Sequence, residues 1–381
     1  MRDTYLYVHD LRSSGVVRNA ITFAEHLARS RPTTLIAGYD VGFFREEAAR
    51  GGFRLKTLAD RPGVLPRYTA AWRLNRWLRG QPAGVLMSVG NMGHPTPWFG
   101  RFGLDHIKRI YSISNEVSRD DGWRSAVRQR WMEMLMRDAA VTILVGAAMG
   151  RVGIFARAIE AGRAVEIPNG VDVDRALAMA AAPVPHRWLE EDVPVVLGIG
   201  RLRPQKNFDL LIAGVSRARQ QRRLRLAIIG GGATAEAERL QGLAQAAGLG
   251  DDFLLAGETD NVFAWLSRAA VFALPSRWEG SSLVLLEALA TGTPVVASRL
   301  AGDAAQVLDE GRYGLLCDGV GPESLATALL AQVGDQPVRP GDRARRYGET
   351  PEAYARVIDD VLTTLPGARA PETLAAPMLS T

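Results

Sequence analysis

Short apolar runs alternate with helical patterns along the first half of the chain. The runs at residues 5–8 and 33–37 flank a segment, 16–29, in which Ile21, Ala24 and Ala28 recur at helical spacing. Similar runs follow at residues 85–89, 109–113, 141–145 and 165–167. Runs this short, separated by helices, are typical of buried strands in a parallel sheet with helices on both faces.

The same alternation starts again after a Pro-rich and acidic segment, 178–192, which we interpret as a linker. Strands are predicted at 193–198, 224–229, 253–256, 271–274 and 294–297, and helices at 208–221, 235–247, 262–268, 282–290 and 351–365. The α/β pattern therefore predicts two doubly wound, Rossmann-like domains facing a central cleft. We place them at residues 1–183 and 184–345, with a helix at 346–365 returning toward the first domain and a disordered tail at 366–381.

Composition narrows the class of protein. The single cysteine, Cys317, excludes an intrachain disulfide, and no apolar run approaches the roughly 20 residues that span a bilayer. The first 20 residues show no signal-peptide pattern, so we expect a cytoplasmic protein. Residues 1–188 carry 27 Lys or Arg against 17 Asp or Glu, whereas residues 189–381 carry 19 against 24. A basic first half favours an anionic partner, although a general preference for Arg would give the same count.

Two carboxylates stand out in the segment 276–298. Glu279 precedes a predicted helix, and Glu287 is the one charged residue inside its apolar part. The free N–H groups at the helix start, Ser281 and Ser282, suit a diphosphate, and Glu287, about two turns deeper, could accept hydrogen bonds from ribose. The alternative is that Glu287 bonds a neighbouring loop and Glu279 lies in a solvated turn.

This segment, SRWEGSSLVLLEALATGTPVVAS, resembles the Glu-x7-Glu signature and the strand after it in the family-4 retaining glycosyltransferases. IPNGVD (167–172), GIGRLRPQKNFDLLI (198–212) and AIIGGG (227–232) resemble further blocks of that family in the right order. The resemblance is close over about residues 165–330 and follows only the layout before that. It implies the GT-B fold, a nucleoside-diphosphate-sugar donor, retention of anomeric configuration and catalysis without a metal or other cofactor.

The resemblance also implies roles for individual residues. Arg201 and Lys206 match the basic pair that holds the donor diphosphate, where two cations can offset the charge of a leaving group; without the family context they would be surface cations. Glu279 matches the carboxylate on the donor sugar, and Glu287 matches the one on ribose. The remaining predicted donor-binding residues are Gly15, Gly280, Ser281, Ser282 and Leu283, and Gly15 stands alone where the family has paired glycines.

Other positions are less defined by the resemblance. The segment 110–117 corresponds to a family strand end that often carries His, but here Asn115 and Glu116 are the candidates for sugar or acceptor contacts. His9 and His94 are interpreted as structural. The sequence lacks a Cys/His cluster, so no metal site is predicted.

Two basic stretches contain aromatic residues, 72–80 and 123–136. The second places Val127, Trp131, Met134 and Leu135 on one helical face, which fits either an anionic membrane surface or a core face. Nucleic-acid binding has no supporting motif.

These observations predict a retaining hexosyltransferase, cytoplasmic or peripheral to the inner face of the membrane, in cell-surface polysaccharide or lipid-linked glycan biosynthesis. We expect UDP rather than GDP on the donor, although no residue pattern identifies the base, and a glycan or lipid-linked acceptor. The alternatives are a sugar-nucleotide epimerase or phosphorylase on the same scaffold, and a catalytically silent partner subunit.

Overall fold

The computed structural model describes residues 2–12, 14–61, 66–114, 123–150 and 152–365. It contains two parallel sheets. The first has the strand order β3-β2-β1-β4-β5-β6-β7, and the second has the order β10-β9-β8-β11-β12-β13. The strands of the first sheet are β1 (Asp3–Val8), β2 (Thr33–Ala37), β3 (Arg54–Thr57), β4 (Gly84–Val89), β5 (Ile107–Ile113), β6 (Val141–Leu144) and β7 (Ala164–Glu166). Those of the second are β8 (Val195–Ile199), β9 (Arg225–Ile229), β10 (Phe253–Gly257), β11 (Val271–Leu274), β12 (Val295–Ser298) and β13 (Leu315–Cys317).

Helices cover both faces of each sheet. Those that follow the strands of the first sheet are α1 (Gly15–Ala28), α2 (Arg45–Arg50), α3 (Pro66–Leu78), α4 (Pro95–Phe99), α5 (Trp123–Asp138), α6 (Ala147–Gly150), α7 (Gly153–Glu160) and α8 (Val173–Ala180). Those of the second half are α9 (Phe208–Ala218), α10 (Thr234–Ala246), α11 (Val262–Leu266), α12 (Leu283–Ala290), α13 (Ala304–Val307), α14 (Pro322–Gln332) and α15 (Thr350–Thr363). Short 3₁₀ turns lie at Arg187–Glu190, Pro204–Lys206, Gly250–Asp252, Asp309–Gly311 and Arg343–Tyr347.

The apolar runs form the central strands, as predicted. Every residue of β2, β8, β9, β11 and β12 is buried, because helices shield both faces of a parallel sheet from water. The structure adds two short edge strands, β3 and β13, that the sequence analysis does not predict. The two-domain fold class is confirmed.

The predicted linker is wrong in part. Residues 178–180 end helix α8, and residues 187–190 form a 3₁₀ turn that buries Trp188 in the core of the second sheet. Helix α8 packs against α11 and α12. The boundary at residues 183 and 184 stays a prediction, but the chain already contacts the helices of the second domain before it.

The last described helix, α15, lies against the first domain. It packs on α1 and β4, and the ring of Tyr354 stacks on Phe23 with centroids 4.2 Å apart. The Tyr354 hydroxyl is 3.3 Å from the Ser112 hydroxyl at the end of β5. The predicted tail, 366–381, lies outside the described residues.

The carboxylate of Asp252 binds several arginine side chains at the edge of the second domain. Asp252, at the turn before β10, accepts hydrogen bonds from three arginine side chains at 2.7–3.3 Å. These bonds and the positive charges hold the pKa of Asp252 below its usual value against the opposing effect of burial. The three arginines are Arg219, Arg223 and Arg225.

Helix α5 does not present the predicted apolar stripe as one surface. Leu135 is fully buried in the first domain together with Met132 and Met136, whereas Val127 is 58% exposed. The buried face is therefore rotated from the predicted one, because α5 packs on β5 and α7. None of the helices in the described ranges is both long and apolar enough to span a membrane.

Candidate functional site

The two sheets meet at the carboxyl ends of their central strands. Strand order reverses beside β1 in the first sheet and beside β8 in the second, and ligands of doubly wound sheets bind at such positions. A cavity of about 220 Å³ lies there, and the loops after β1, β8 and β11 contribute to its walls. The structure therefore places a cleft where the strand pattern predicts it.

Most predicted site residues share this cavity. Its lining includes Gly15, Arg201, Lys206, Glu279, Gly280, Ser281, Ser282, Leu283 and Glu287. Gly15 comes from the first domain and the others from the second. Asn115 and Glu116 lie outside the described residues, so their predicted contacts stay a prediction.

Glu279 is held in a network of polar contacts. It is 8% exposed, and its Oε1 atom accepts hydrogen bonds from Lys206 Nζ at 2.7 Å and from the Ser276 hydroxyl at 2.8 Å. The Gln205 amide donates to Oε2 at 3.3 Å. The short turn after β8 thus brings Lys206 directly onto Glu279, and the two charges offset each other beside the cavity.

Arg201 follows Gly200 at the end of β8 and reaches the same cavity. Desolvation and the neighbouring charge of Arg203 lower the pKa of its guanidinium, which nevertheless stays protonated at neutral pH. Within the described ranges, Arg201 and Arg203 do not form an ion pair with any carboxylate. An anion entering the cleft would meet two arginine side chains whose charges are not held in ion pairs.

Glu287 lies in the middle of α12 and is 3% exposed. Its Oε1 atom accepts a hydrogen bond at 2.5 Å from Nη1 of Arg18, which belongs to α1 in the first domain. The alternative that Glu287 bonds a neighbouring loop is thus wrong, because its charged partner is 269 residues away on the opposite wall.

The loop before α12 fits closely between the domains. A Cβ atom on Gly280 would lie 2.1 Å from the Ser114 carbonyl oxygen, and one on Gly302, whose φ is +62°, would lie 2.5 Å from the Gly280 oxygen. Gly280 is therefore required by the approach of the first domain, and Gly302 by both its backbone angle and its neighbours.

Asp303 lies directly behind this loop and is missed by the sequence analysis. It is 5% exposed, and burial raises its pKa to about 7; the nearby charge of Glu279 acts in the same direction, and hydrogen bonds with Ser281 and Ser282 act against it. Its Oδ1 atom and the Ser282 hydroxyl have no hydrogen-bond partner in the described part of the chain. A single Asp in an Ala- and Gly-rich segment forms no recognisable motif. Its burial depends on how the loop folds and could not be predicted from the sequence.

His94 is structural, as interpreted from the sequence. It is fully buried, and its Nδ1 atom is 2.8 Å from the Ser88 hydroxyl. Burial lowers its pKa to about 3, so it is neutral at physiological pH. No group of three or more His, Cys, Asp or Glu side chains suited to a metal ion occurs in the described ranges, and the metal independence of the reaction stays a prediction.

Comparison with known proteins identifies the class. Residues 193–335 match the family model described as "Glycosyl transferases group 1". A GDP-mannose-dependent alpha-(1-6)-phosphatidylinositol monomannoside mannosyltransferase of Mycolicibacterium smegmatis is 30% identical over 350 residues, covering 84% of this chain and 85% of that protein. The chain therefore belongs to the group 1 glycosyltransferases.

Other similarities agree with this assignment. The lipopolysaccharide core biosynthesis mannosyltransferase LpcC of Rhizobium leguminosarum is 32% identical over 212 residues, covering 51% of this chain and 58% of that protein. Among solved structures, Anabaena HepE in complex with UDP-glucose superposes with a TM-score of 0.75 at 17% identity, covering 95% of this chain and 97% of that one. The predicted GT-B fold is confirmed.

Proposed function

We propose that the protein is a retaining glycosyltransferase that moves a hexosyl unit from a nucleoside-diphosphate sugar to an acceptor hydroxyl. The observation that carries this proposal is the grouping of two cations, two buried carboxylates and a helix start on one interdomain cavity. These are Arg201, Lys206, Glu279, Glu287 and the loop before α12. Positive groups beside a helix N-terminus suit a diphosphate, and carboxylates suit sugar hydroxyls.

In the proposed reaction, the bond between the anomeric carbon and the diphosphate oxygen breaks, and a bond to the acceptor oxygen forms on the same face of the sugar. The acceptor proton passes to a phosphate oxygen of the leaving group. Arg201, Lys206 and the N–H groups at the start of α12 stabilise the negative charge that accumulates there. For this, Lys206 turns from Glu279 toward the phosphates, which leaves Glu279 free to accept a hydrogen bond from the donor sugar.

The acceptor is proposed to be a glycan or a glycolipid. The names of the mannosyltransferase relatives support this, since they refer to a phosphatidylinositol mannoside and to lipopolysaccharide core. The nucleotide is open: one relative's name specifies GDP-mannose, whereas the HepE complex contains UDP-glucose. UDP and GDP sugars are therefore tested side by side, with UDP the nucleotide expected from the sequence.

The test is sugar transfer with a matched pair of lysine variants. Lys206→Ala is expected to lower kcat by about 100-fold or more. Because it leaves Glu279 without its cation it also lowers Tm, so kcat is measured well below the Tm of the variant. Lys56→Ala, on the edge strand β3, keeps wild-type activity. Epimerisation of the sugar nucleotide without an acceptor, or transfer of a glycosyl unit to inorganic phosphate, would favour the alternative enzymes. A folded protein that binds neither UDP nor GDP would contradict the proposal and favour a silent subunit.

We also propose that one face of the first domain contacts an anionic membrane. Here α3, α4 and α5 lie side by side: Tyr68 contacts Phe99, Trp98 contacts Trp131, and Arg101 lies over the Trp98 ring at 3.9 Å. Exposed aromatic rings among arginines are typical of interfacial surfaces. The exposed aromatic side chains on these helices and in the loop after α4 are Tyr68, Trp72, Phe102 and Trp123.

Vesicle co-sedimentation tests the membrane contact. Trp72→Ser and Phe102→Ser together are expected to lower binding to phosphatidylglycerol vesicles at least fivefold, because each removes a ring that would enter the interface. Val320→Ser, which changes a still more exposed apolar residue in the second domain, serves as the control. Equal binding by all variants, or equal binding to neutral phosphatidylcholine vesicles, would contradict this part of the proposal.

A further inference from the structure

Two consecutive residues of α1 reach across the cleft to the donor side. Arg18 bonds to Glu287 in the middle of α12, with 21% of the Arg18 side chain and 4% of the Glu287 side chain exposed. Its guanidinium also lies 5.4 Å from the centre of the Phe44 ring in the first domain. A first-domain arginine is therefore fixed against a buried second-domain carboxylate.

Asn19 reaches the same region by a second route. Its Nδ2 atom donates to Oδ1 of Asn169 at 2.7 Å, and Nδ2 of Asn169 donates to the Ser281 carbonyl oxygen at 2.8 Å. Asn19 and Asn169 are both 9% exposed. This relay ties α1 to the loop that precedes α12, while Arg18 ties α1 to the helix itself.

The Arg18 contact matters because of where Glu287 lies. In the described part of the chain, Glu287 forms no ion pair except this one, and the rest of α12 is apolar and almost wholly buried. A carboxylate buried without a charged partner is strongly unfavourable. The compensating charge is supplied by the other domain, so the second domain does not stabilise this arrangement alone.

We propose that Arg18 and Asn19 are positioning residues for the nucleoside-diphosphate site. Arg18 fixes the carboxylate of Glu287 for the ribose hydroxyls, and Asn19, through Asn169, fixes the Ser281 backbone beside the diphosphate. Arg18 acts on Glu287 directly and Asn19 acts on Ser281 through Asn169, and these contacts remain when the nucleotide is present. This inference rests on the proposed function and assigns to the first domain a part in binding the donor.

The experiment measures binding of UDP and GDP by calorimetry to wild-type protein and variants. Arg18→Met keeps much of the side-chain length and removes the charge, and it is expected to weaken binding by about 10- to 100-fold, the usual range for a lost hydrogen bond to a charged group. Arg18→Lys restores the charge and is expected to recover most of the affinity. Arg29→Met, at the exposed end of the same helix, is the matched control and binds as wild type.

A double-mutant cycle separates positioning from a general structural effect. If Arg18 acts through Glu287, Arg18→Met adds little to the loss already caused by Glu287→Gln. In the same way, Asn19→Ala adds little to Asn169→Ala. Loss of the charge beside Glu287 lowers Tm in either case, so Tm is not the criterion; a merely structural role would give additive losses of affinity and no rescue by Lys.

Three results would overturn the inference: wild-type affinity in Arg18→Met, additive losses in both cycles, or tighter binding in Arg18→Met. Tighter binding would mean that Arg18 competes with ribose for Glu287. Should Arg18→Met not fold, Arg18→Lys and the asparagine cycle decide the question. If wild-type protein binds neither nucleotide, the proposed function fails as well, whereas binding that is insensitive to Arg18 and Asn19 overturns this inference alone.

Discussion

Replacing Asp303 by Asn should change how the stability of the protein depends on pH. Burial raises the pKa of Asp303 from 3.8 to about 7, so the folded protein retains a proton that the unfolded chain loses as the pH rises above 3.8. Stability must therefore fall as the pH rises between these values. The difference of about three pKa units corresponds to about 4 kcal/mol, which is fully lost above pH 7.

Asn cannot ionise, so Asp303→Asn lacks this loss. Relative to wild type, its free energy of unfolding should rise by about 4 kcal/mol between pH 4 and pH 8. The Ser281 and Ser282 groups that face Asp303 can still bond to the amide oxygen. Urea denaturation at one-unit pH intervals measures the difference directly.

The control is Asp318→Asn. The N–H groups of Val320 and Gly321 hold the pKa of Asp318 below its usual value, so this variant should differ from wild type by a constant amount from pH 5 to pH 8. A constant difference for Asp303→Asn over the same range, or a change confined below pH 4.5, would refute the assignment of a raised pKa.

Three further changes test other parts of the structure. Gly280→Ala places a Cβ atom 2.1 Å from the Ser114 carbonyl oxygen, so the free energy of unfolding should fall by about 1–3 kcal/mol and UDP or GDP should bind more weakly. Gly242→Ala, in open space on α10, is the control and should not destabilise the protein. Urea denaturation and calorimetry measure both effects, and equal stability and affinity in the two variants would contradict the prediction. Asp252→Ala leaves three arginines without their shared carboxylate and should cost about 2–3 kcal/mol, a loss that an unchanged urea midpoint would contradict. Burial lowers the pKa of His94 to about 3, so wild-type protein should lose up to about 5 kcal/mol as the pH falls from 6.5 to 3; His94→Gln should lack this slope, and equal slopes would refute the assignment.

Much of the fold could be predicted because its central strands are buried on both faces. Such strands read as continuous apolar runs, and β2 and β11 agree with their predicted bounds residue for residue. The edge strands β3 and β13 were missed: β3 reads RLKT and has no apolar run, and β13 is the short run LLC, which follows a Gly and precedes an Asp. The start of the linker was misplaced because α8 is short and is buried against α11 and α12. Contacts with helices so distant in sequence are not visible in the local periodicity.

The site residues also divide into those that could be predicted from the sequence and those that could not. Lys206 and Glu279 could be proposed because each lies in a segment whose order of residues is itself distinctive. Arg18 follows Gly15 by three residues without a motif of its own, and Asp303 lies in no motif. The contacts of Arg18 and Asp303 join positions that are distant in sequence or hidden by loop packing, so no spacing within one segment contains them.

These distant contacts change what the first domain contributes. Glu287 and Ser281 belong to the second domain, yet Arg18 and Asn19 of α1 determine their surroundings, and Ser114 requires the glycine beside them. Burying the carboxylate of Glu287 is unfavourable until Arg18 is in place. A motif confined to the second domain therefore identifies the residues that would meet the donor without containing the interactions that hold them, and the donor site is a property of both domains together.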